Sequence, residues 1–204
     1  MIIEACIENF TEALAARNAG ADRVELCENL NVGGTTPSCG TIKMCVEKLG
    51  IPVFVMIRPR GGNFVYSPEE LEIMKTDIQL CKQLGAPAVV FGLLTNDGRI
   101  DEANTRDLIE LARPMQVTFH KAFDELRDPL SDLETLIRLG ADRVLTSGTK
   151  TTAREGAEVL NQLIEKAAGR IIIVAAGKVT SETLDELSQS IHTNEFHGKR
   201  IVNF

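Results

Sequence analysis

A chain of 204 residues, 44% of them hydrophobic and with a formal net charge of −7, can bury one large core, and it lacks the basic face a nucleic-acid partner requires. No apolar run approaches the roughly 18 residues of a membrane span, and the N-terminus lacks the basic-then-apolar profile of a secretory leader, so a cytoplasmic protein with no membrane partner is expected. Five cysteines, an odd number with neither a CxxC pair nor Cys/His zinc spacing, read as reduced thiols rather than a disulfide framework.

The first predicted strand is Ile2 to Cys6, and Asn9 with Glu12 marks the start of the helix behind it. A helix-ending glycine, Gly20, then leads into a strand from Arg23 to Cys27. The same punctuation recurs at Gly50, Gly85, Gly140 and Gly169, each between a helix-like stretch and a strand-like one. Gly50 introduces the strand Val53 to Ile57. Behind it, Ser67, Pro68 and Glu70 spell an N-cap, a first-turn proline and a capping-box acid, with Leu71, Met74, Ile78, Cys81 and Leu84 at helical spacing. Gly85 introduces Ala88 to Gly92. The longest interval, from Gly85 to Gly140, holds two units divided at Pro114, which ends a helix before the strand Met115 to Phe119. Asp128 with Pro129 and Thr152 with Glu155 mark two further helix starts. The remaining strands are Arg143 to Ser147, Ile171 to Ala175 and a short Glu195 to His197.

Seven or eight alternating units without a second compositional zone predict a single domain over residues 1–204, a small α/β (β/α)8 TIM-type barrel. Fewer than ten residues follow the last strand, so the last helix is short or missing. Either a second copy covers that strand, making a homo-oligomer, or the barrel is incomplete there.

In such a barrel the outer strand face meets the helices and is the more uniformly apolar one. Val24, Leu26, Val53, Val55, Ile57, Val117, Phe119 and Val144 fit it, which turns Glu4, Cys6, Glu25, Cys27, Met56, Arg58, Thr118, His120 and Ser147 inward. The carboxyl end of the barrel is where this fold places its sites. Glu4, Cys6, Glu25, Cys27, Arg58 and His120 are expected to converge there. Arg58 also reads as the partner of a buried carboxylate. The loop "RPRGGNFVYS" adds Arg60, and guanidinium groups beside mobile backbone suit a carboxylate or phosphate. Ser147 and Gly148 of "TSG" sit where late loops of this fold cradle phosphate. Cys45 and Cys81 lie on helices and read as packing; Asp22, Arg23, Asp142 and Arg143, at the amino ends of strands, read as stabilising pairs.

The strings "EAC", "GADRVELC", "GGTTPS", "MIRPRGGNFVYS", "TFHKAFD" and "LTSG", in this order through nearly the whole chain, resemble the CutC copper-homeostasis family. The resemblance implies a cytoplasmic barrel with a role in copper tolerance or trafficking, and copper binding with Cys27 as the ligand to carry over. Cys39 stands where an aromatic is usual, "AAGKV" replaces a more glycine-rich turn, and the chain is short after "FHG". Two functions of different class are therefore expected. In the first, Cys6 and Cys27 bind Cu(I), a soft ion that prefers thiolates. In the second, an enzyme uses Glu4, Glu25, His120 and Asp124 for acid/base chemistry on a small anionic metabolite, phosphorylated or carboxylated, held by Arg58, Arg60, Ser147 and Gly148.

Overall fold

All eight strands form, and they close. A computed structural model describing residues 1–204 runs β1 (Ile2–Ile7), α1 (Phe10–Asn18), β2 (Arg23–Leu26), α2 (Cys39–Lys48), β3 (Val53–Met56), α3 (Pro68–Gln83), β4 (Ala88–Phe91), α4 (Glu102–Ala112), β5 (Gln116–Phe119), α5 (Pro129–Leu139), β6 (Arg143–Thr146), α6 (Ala157–Ala167), β7 (Ile172–Ala175), α7 (Leu184–Ser190) and β8 (Glu195–Gly198). Every strand pairs in parallel with its chain neighbours, and β8 pairs with both β7 and β1 to complete the barrel. The expected (β/α)8 barrel is thus present, the alternative of a barrel left incomplete at its last strand does not hold, and no helix follows β8 within residues 1–204. Outward-facing Phe196 of β8 is fully buried in the same cluster as Ile201 and Val202, so the residues after the strand join the layer an eighth helix would otherwise supply.

The predicted punctuation is physical. Gly20, Gly50, Gly85, Gly140 and Gly169 all have φ between 76° and 96°, the left-handed turn that ends a helix and redirects the chain into the next strand. Helix starts follow the side-chain caps at Asn9, Ser67 and Asp128, each accepting a hydrogen bond from the backbone N–H three residues on. At Ser67 the reciprocal bond from its own N–H to Glu70 is also made, 2.8 Å long. Ser67→Ala is therefore expected to lower stability by about 1 kcal/mol, measured as a fall in the urea midpoint at constant slope. The start predicted at Thr152 is displaced. Thr152 and Glu155 do bond each other's N–H groups, but the bonds close a turn, and α6 begins at Ala157 beyond Gly156.

Strand parity divides the core into two parts. Val24, Leu26, Val53, Val55, Ile57, Val117, Phe119 and Val144 pack outward against the helices, joined by Met74, Ile78, Cys81, Leu108, Leu136 and Leu160 from the helix side. Burying each such Leu, Ile or Phe contributes about 1.5–3 kcal/mol. Cys6, Cys27, Phe54, Met56, Ala88 and Val90 form a separate small cluster inside the barrel, and Leu145, Val174 and Ala176 another. Charge and thiol chemistry fill the rest of the interior.

Candidate functional site

The lowest interior layer is ionic. Arg23 bonds Glu4 through Nε and Glu195 through a terminal nitrogen at 2.5 Å, and Arg143 Nε reaches the same Glu195 oxygen at 2.9 Å. Both guanidinium groups lie over the ring of Phe54, at 4.7 and 5.2 Å from its centre. Two arginines and two glutamates thus neutralise one another in a volume from which water is excluded, the condition under which buried charge is tolerated. Glu4 belongs to this layer and not to the carboxyl-end mouth, correcting its predicted place: parity put it inside, but its height is set by the register, opposite Arg23 and His197. Arg23 and Arg143 do form ion pairs, but with Glu4 and Glu195, while Asp22 accepts the Ile3 N–H and Asp142 pairs with Arg113.

Above that layer lie the thiols. One oxygen of Glu25, Oε2, is 3.3 Å from Cys6 Sγ and 3.5 Å from Cys27 Sγ, and His197 Nε2 is 3.7 Å from it. His197 Nδ1 is held by Glu4 Oε1 at 2.7 Å. All these groups are buried, and all five cysteines of the chain are free. Their charges are linked. Burial works against the His197 imidazolium, but Glu25, Cys6 and Glu4 around it hold its pKa well above the ordinary histidine value. Glu4 is lowered to about 2 despite burial, because His197 and Arg23 both bond its charged form. Glu25 moves the other way: burial, with Cys6 and Glu4 as negative neighbours, raises its carboxyl well above the usual range. The hydrogen bond from Cys27 and the nearby imidazolium lower the Cys6 thiol to about 5, while that same shared bond and burial raise Cys27. The site can therefore present one thiolate and one thiol side by side. Cys6, Glu25 and Cys27 bring one ligand atom each within 4.8 Å of one another, as do Glu4, Glu25 and His197.

A cavity of about 190 Å³ opens above Cys6, Glu25 and His197, walled by Leu30, Met56, Phe64 and Leu145. His120 forms its far side. Its Nδ1 accepts the Ala122 N–H at 3.2 Å, and burial with the nearby Arg58 charge lowers its pKa to about 3, so the ring is neutral and carries its proton on Nε2. That Nε2 is buried and has no partner, as is Glu25 Oε1. The ring fits only because position 92 is glycine: a Cβ there would stand 2.5 Å from His120 Nδ1.

Arg58 lies at the mouth beside a wider polar cleft of about 730 Å³. Its terminal nitrogens bond the carbonyls of Val32, Gly34 and Gly62 at 2.7 to 3.0 Å, and its Nε is buried without a partner. The structure does not bring Arg60 to the mouth. That guanidinium is bound to Glu70 and to the carbonyls of Gly61, Asn63 and Val65, fastening its own loop to α3.

Asp124 does not meet His120 either. Its carboxylate sits over the loop after β6, accepting the N–H groups of Ser147 and Thr149 at 3.0 to 3.1 Å, the hydroxyls of Thr146 and Ser147, and Lys121 Nζ at 2.5 Å. Lys121, with those hydrogen bonds, holds its pKa below the ordinary aspartate value in spite of burial. The predicted phosphate cradle at Ser147 and Gly148 is thus filled by the protein's own anion, and the Gly148 N–H is taken by Thr146 Oγ1. His197 and Glu195 carry little signal in the sequence, although "EFHG" turns the two inward by the same alternation as Glu4 and Cys6.

The profile of the CutC family matches residues 1–202. Among curated proteins, the chain is 47% identical over 196 residues to the copper homeostasis protein cutC homolog of Homo sapiens, covering 96% of this chain and 72% of that one. It is also 47% identical to the family protein CutC of Pasteurella multocida, covering 97% and 81% of the two chains. A solved CutC structure from Streptococcus agalactiae superposes with a TM-score of 0.94 at 39% identity, over 99% of this chain and 100% of that one. A deoxyribose phosphate aldolase from Aeropyrum pernix superposes with a TM-score of 0.68 over 98% of this chain and 86% of that one; at 17% identity it shares the barrel architecture alone.

Proposed function

Because the chain belongs to the CutC family and is a homologue of copper homeostasis proteins, we propose that it binds copper as Cu(I), in the cytoplasm, through Cys6 and Cys27. One observation carries the reading: two buried free thiols, Cys6 on β1 and Cys27 directly after the neighbouring β2, converge on a single carboxylate oxygen. Thiolates are the donors Cu(I) prefers, and low coordination suits an ion that needs few of them. The donor set fits. Cys6 is already poised to ionise, and metal binding displaces the remaining thiol proton from Cys27. His197, kept cationic by Glu25, Cys6 and Glu4, offsets the negative charge of a dithiolate. Reduced thiols in turn belong to a reducing compartment.

Titration of Cu(I) into the reduced protein against a strong competing chelator tests this. The wild type is expected to hold one ion per chain, and Cys6→Ser/Cys27→Ser to lose it while keeping the same far-ultraviolet circular dichroism. Equal retention by the double variant would sink the proposal.

A further inference from the structure

Three arginines of this chain are buried: Arg23, Arg58 and Arg143. The first and last share Glu195, but Arg58 has no carboxylate partner at all, only three carbonyls, and one buried N–H that bonds nothing. A buried charge left with dipoles alone is costly unless an anion completes its surroundings. Phe64 ties this group to the inner cavity, since the Arg58 guanidinium lies 4.8 Å from the centre of its ring and the His120 ring 4.9 Å. Lys121 lines both spaces.

We propose that the cavity and the adjoining cleft bind a small organic acid, with its carboxylate at Arg58 and Lys121, an oxo or hydroxyl oxygen on His120 Nε2–H, and a short apolar body among Leu30, Met56 and Leu145. The volume sets the size. An apolar cavity of about 150 Å³ accommodates benzene, so the space here takes about four to six carbons. The choice of carboxylate over phosphate follows from the donors. Arg58 has two N–H groups left to offer, Nε–H and one on Nη2, which match the two oxygens of a carboxylate, and the backbone nest after β6 that would cradle a phosphate already holds Asp124. The unpartnered polar atoms at His120 and Glu25 require that the ligand carry oxygen beyond its carboxylate. The cavity shares its floor, Cys6, Glu25 and His197, with the thiol site, but the contacts that hold the carboxylate and its neighbouring oxygen come from Arg58, Lys121 and His120, and occupancy does not depend on a metal.

Calorimetric titration of the full chain with 2-oxobutyrate, 2-hydroxybutyrate and 2-oxoisovalerate, alongside butyrate and inorganic phosphate, is the test. Saturable binding of at least one oxo or hydroxy acid is expected, tighter than butyrate, with no binding of phosphate at the same site. Arg58→Lys is expected to weaken it about tenfold or more, the usual effect of losing a charge-assisted hydrogen bond. Because Arg58 also fastens three loop carbonyls, a second variant is needed. Leu30→Trp fills the cavity from a half-exposed rim position, leaves Arg58 in place, and is expected to abolish binding. No saturable binding of any acid to the wild type, displacement of a bound acid by phosphate, or affinity unchanged in Leu30→Trp would each overturn the proposal.

Discussion

Arg23→Met is expected to lower stability by about 3–5 kcal/mol, because removing one member of a buried ion network strands the charges it neutralised. Arg23 is the bridge between Glu4 and Glu195, and methionine fills a similar volume without answering either carboxylate. The measurement is the urea midpoint at neutral pH, and a loss of less than about 1 kcal/mol, the scale of a surface pair, would show that the layer is solvated. The pH dependence has a definite sign. Glu4 is lowered to about 2 from an ordinary value of 4.5. Its contribution is therefore fully present above the unfolded value and is lost as the pH falls toward 2. Without Arg23 the folded pKa rises, so the acid-dependent part of the wild-type stability shrinks in Arg23→Met.

Asp124→Ala is expected to lower stability by about 2–4 kcal/mol and to create a dependence on phosphate that the wild type lacks. The carboxylate accepts two backbone N–H groups, two hydroxyls and a lysine, and alanine leaves those donors facing a vacancy of anionic shape. Inorganic phosphate should then refill it, raising the melting temperature of the variant but not of the wild type. A variant as stable as the wild type, or a phosphate effect equal in both, would contradict this account of the loop. Since Asp124 sits below its ordinary pKa, its contribution too is present above the unfolded value and declines in acid.

Both variants concern groups whose roles the sequence foreshadowed unequally. That Glu25 and Cys27 face inward was legible, because a strand alternates with a period of two and the helix-ending glycines fix where each strand begins. Their neighbours Cys6 and His120 followed from the same parity. Height within the barrel was not legible: Glu4 and Cys6 share a face, yet one lies in the ionic layer and the other under the cavity, and only the pairing of β1 with β2 and β8 separates them. Loop side chains escaped for a different reason. Arg60 and Asp124 take their directions from tertiary hydrogen bonds to Glu70 and to the loop after β6, which no local pattern encodes. His197 was readable in principle, but "EFHG" has no β-branched residue and no helix-ending glycine before it, the two signals that mark most of the other strands. Thr152 and Glu155 show that a capping signature can be real and still close a turn instead of opening a helix.

The ionic layer also decides how traffic moves. With Arg23, Arg143, Glu4 and Glu195 locked across the amino end, the barrel opens only at its carboxyl end, where Cys6 is approached from two sides, one past Leu30, Phe64 and Lys121 and the other beside Glu12, Lys199 and Phe204. Loading and unloading then share one face. Narrowing both approaches slows arrival and departure by the same factor, leaving the equilibrium with the thiols untouched, so residence time can be tuned by the loop after β2 and the residues after β8 without any change at Cys6 or Cys27. A protein that delivers to those thiols, or withdraws from them, has only the carboxyl-end loops on which to dock.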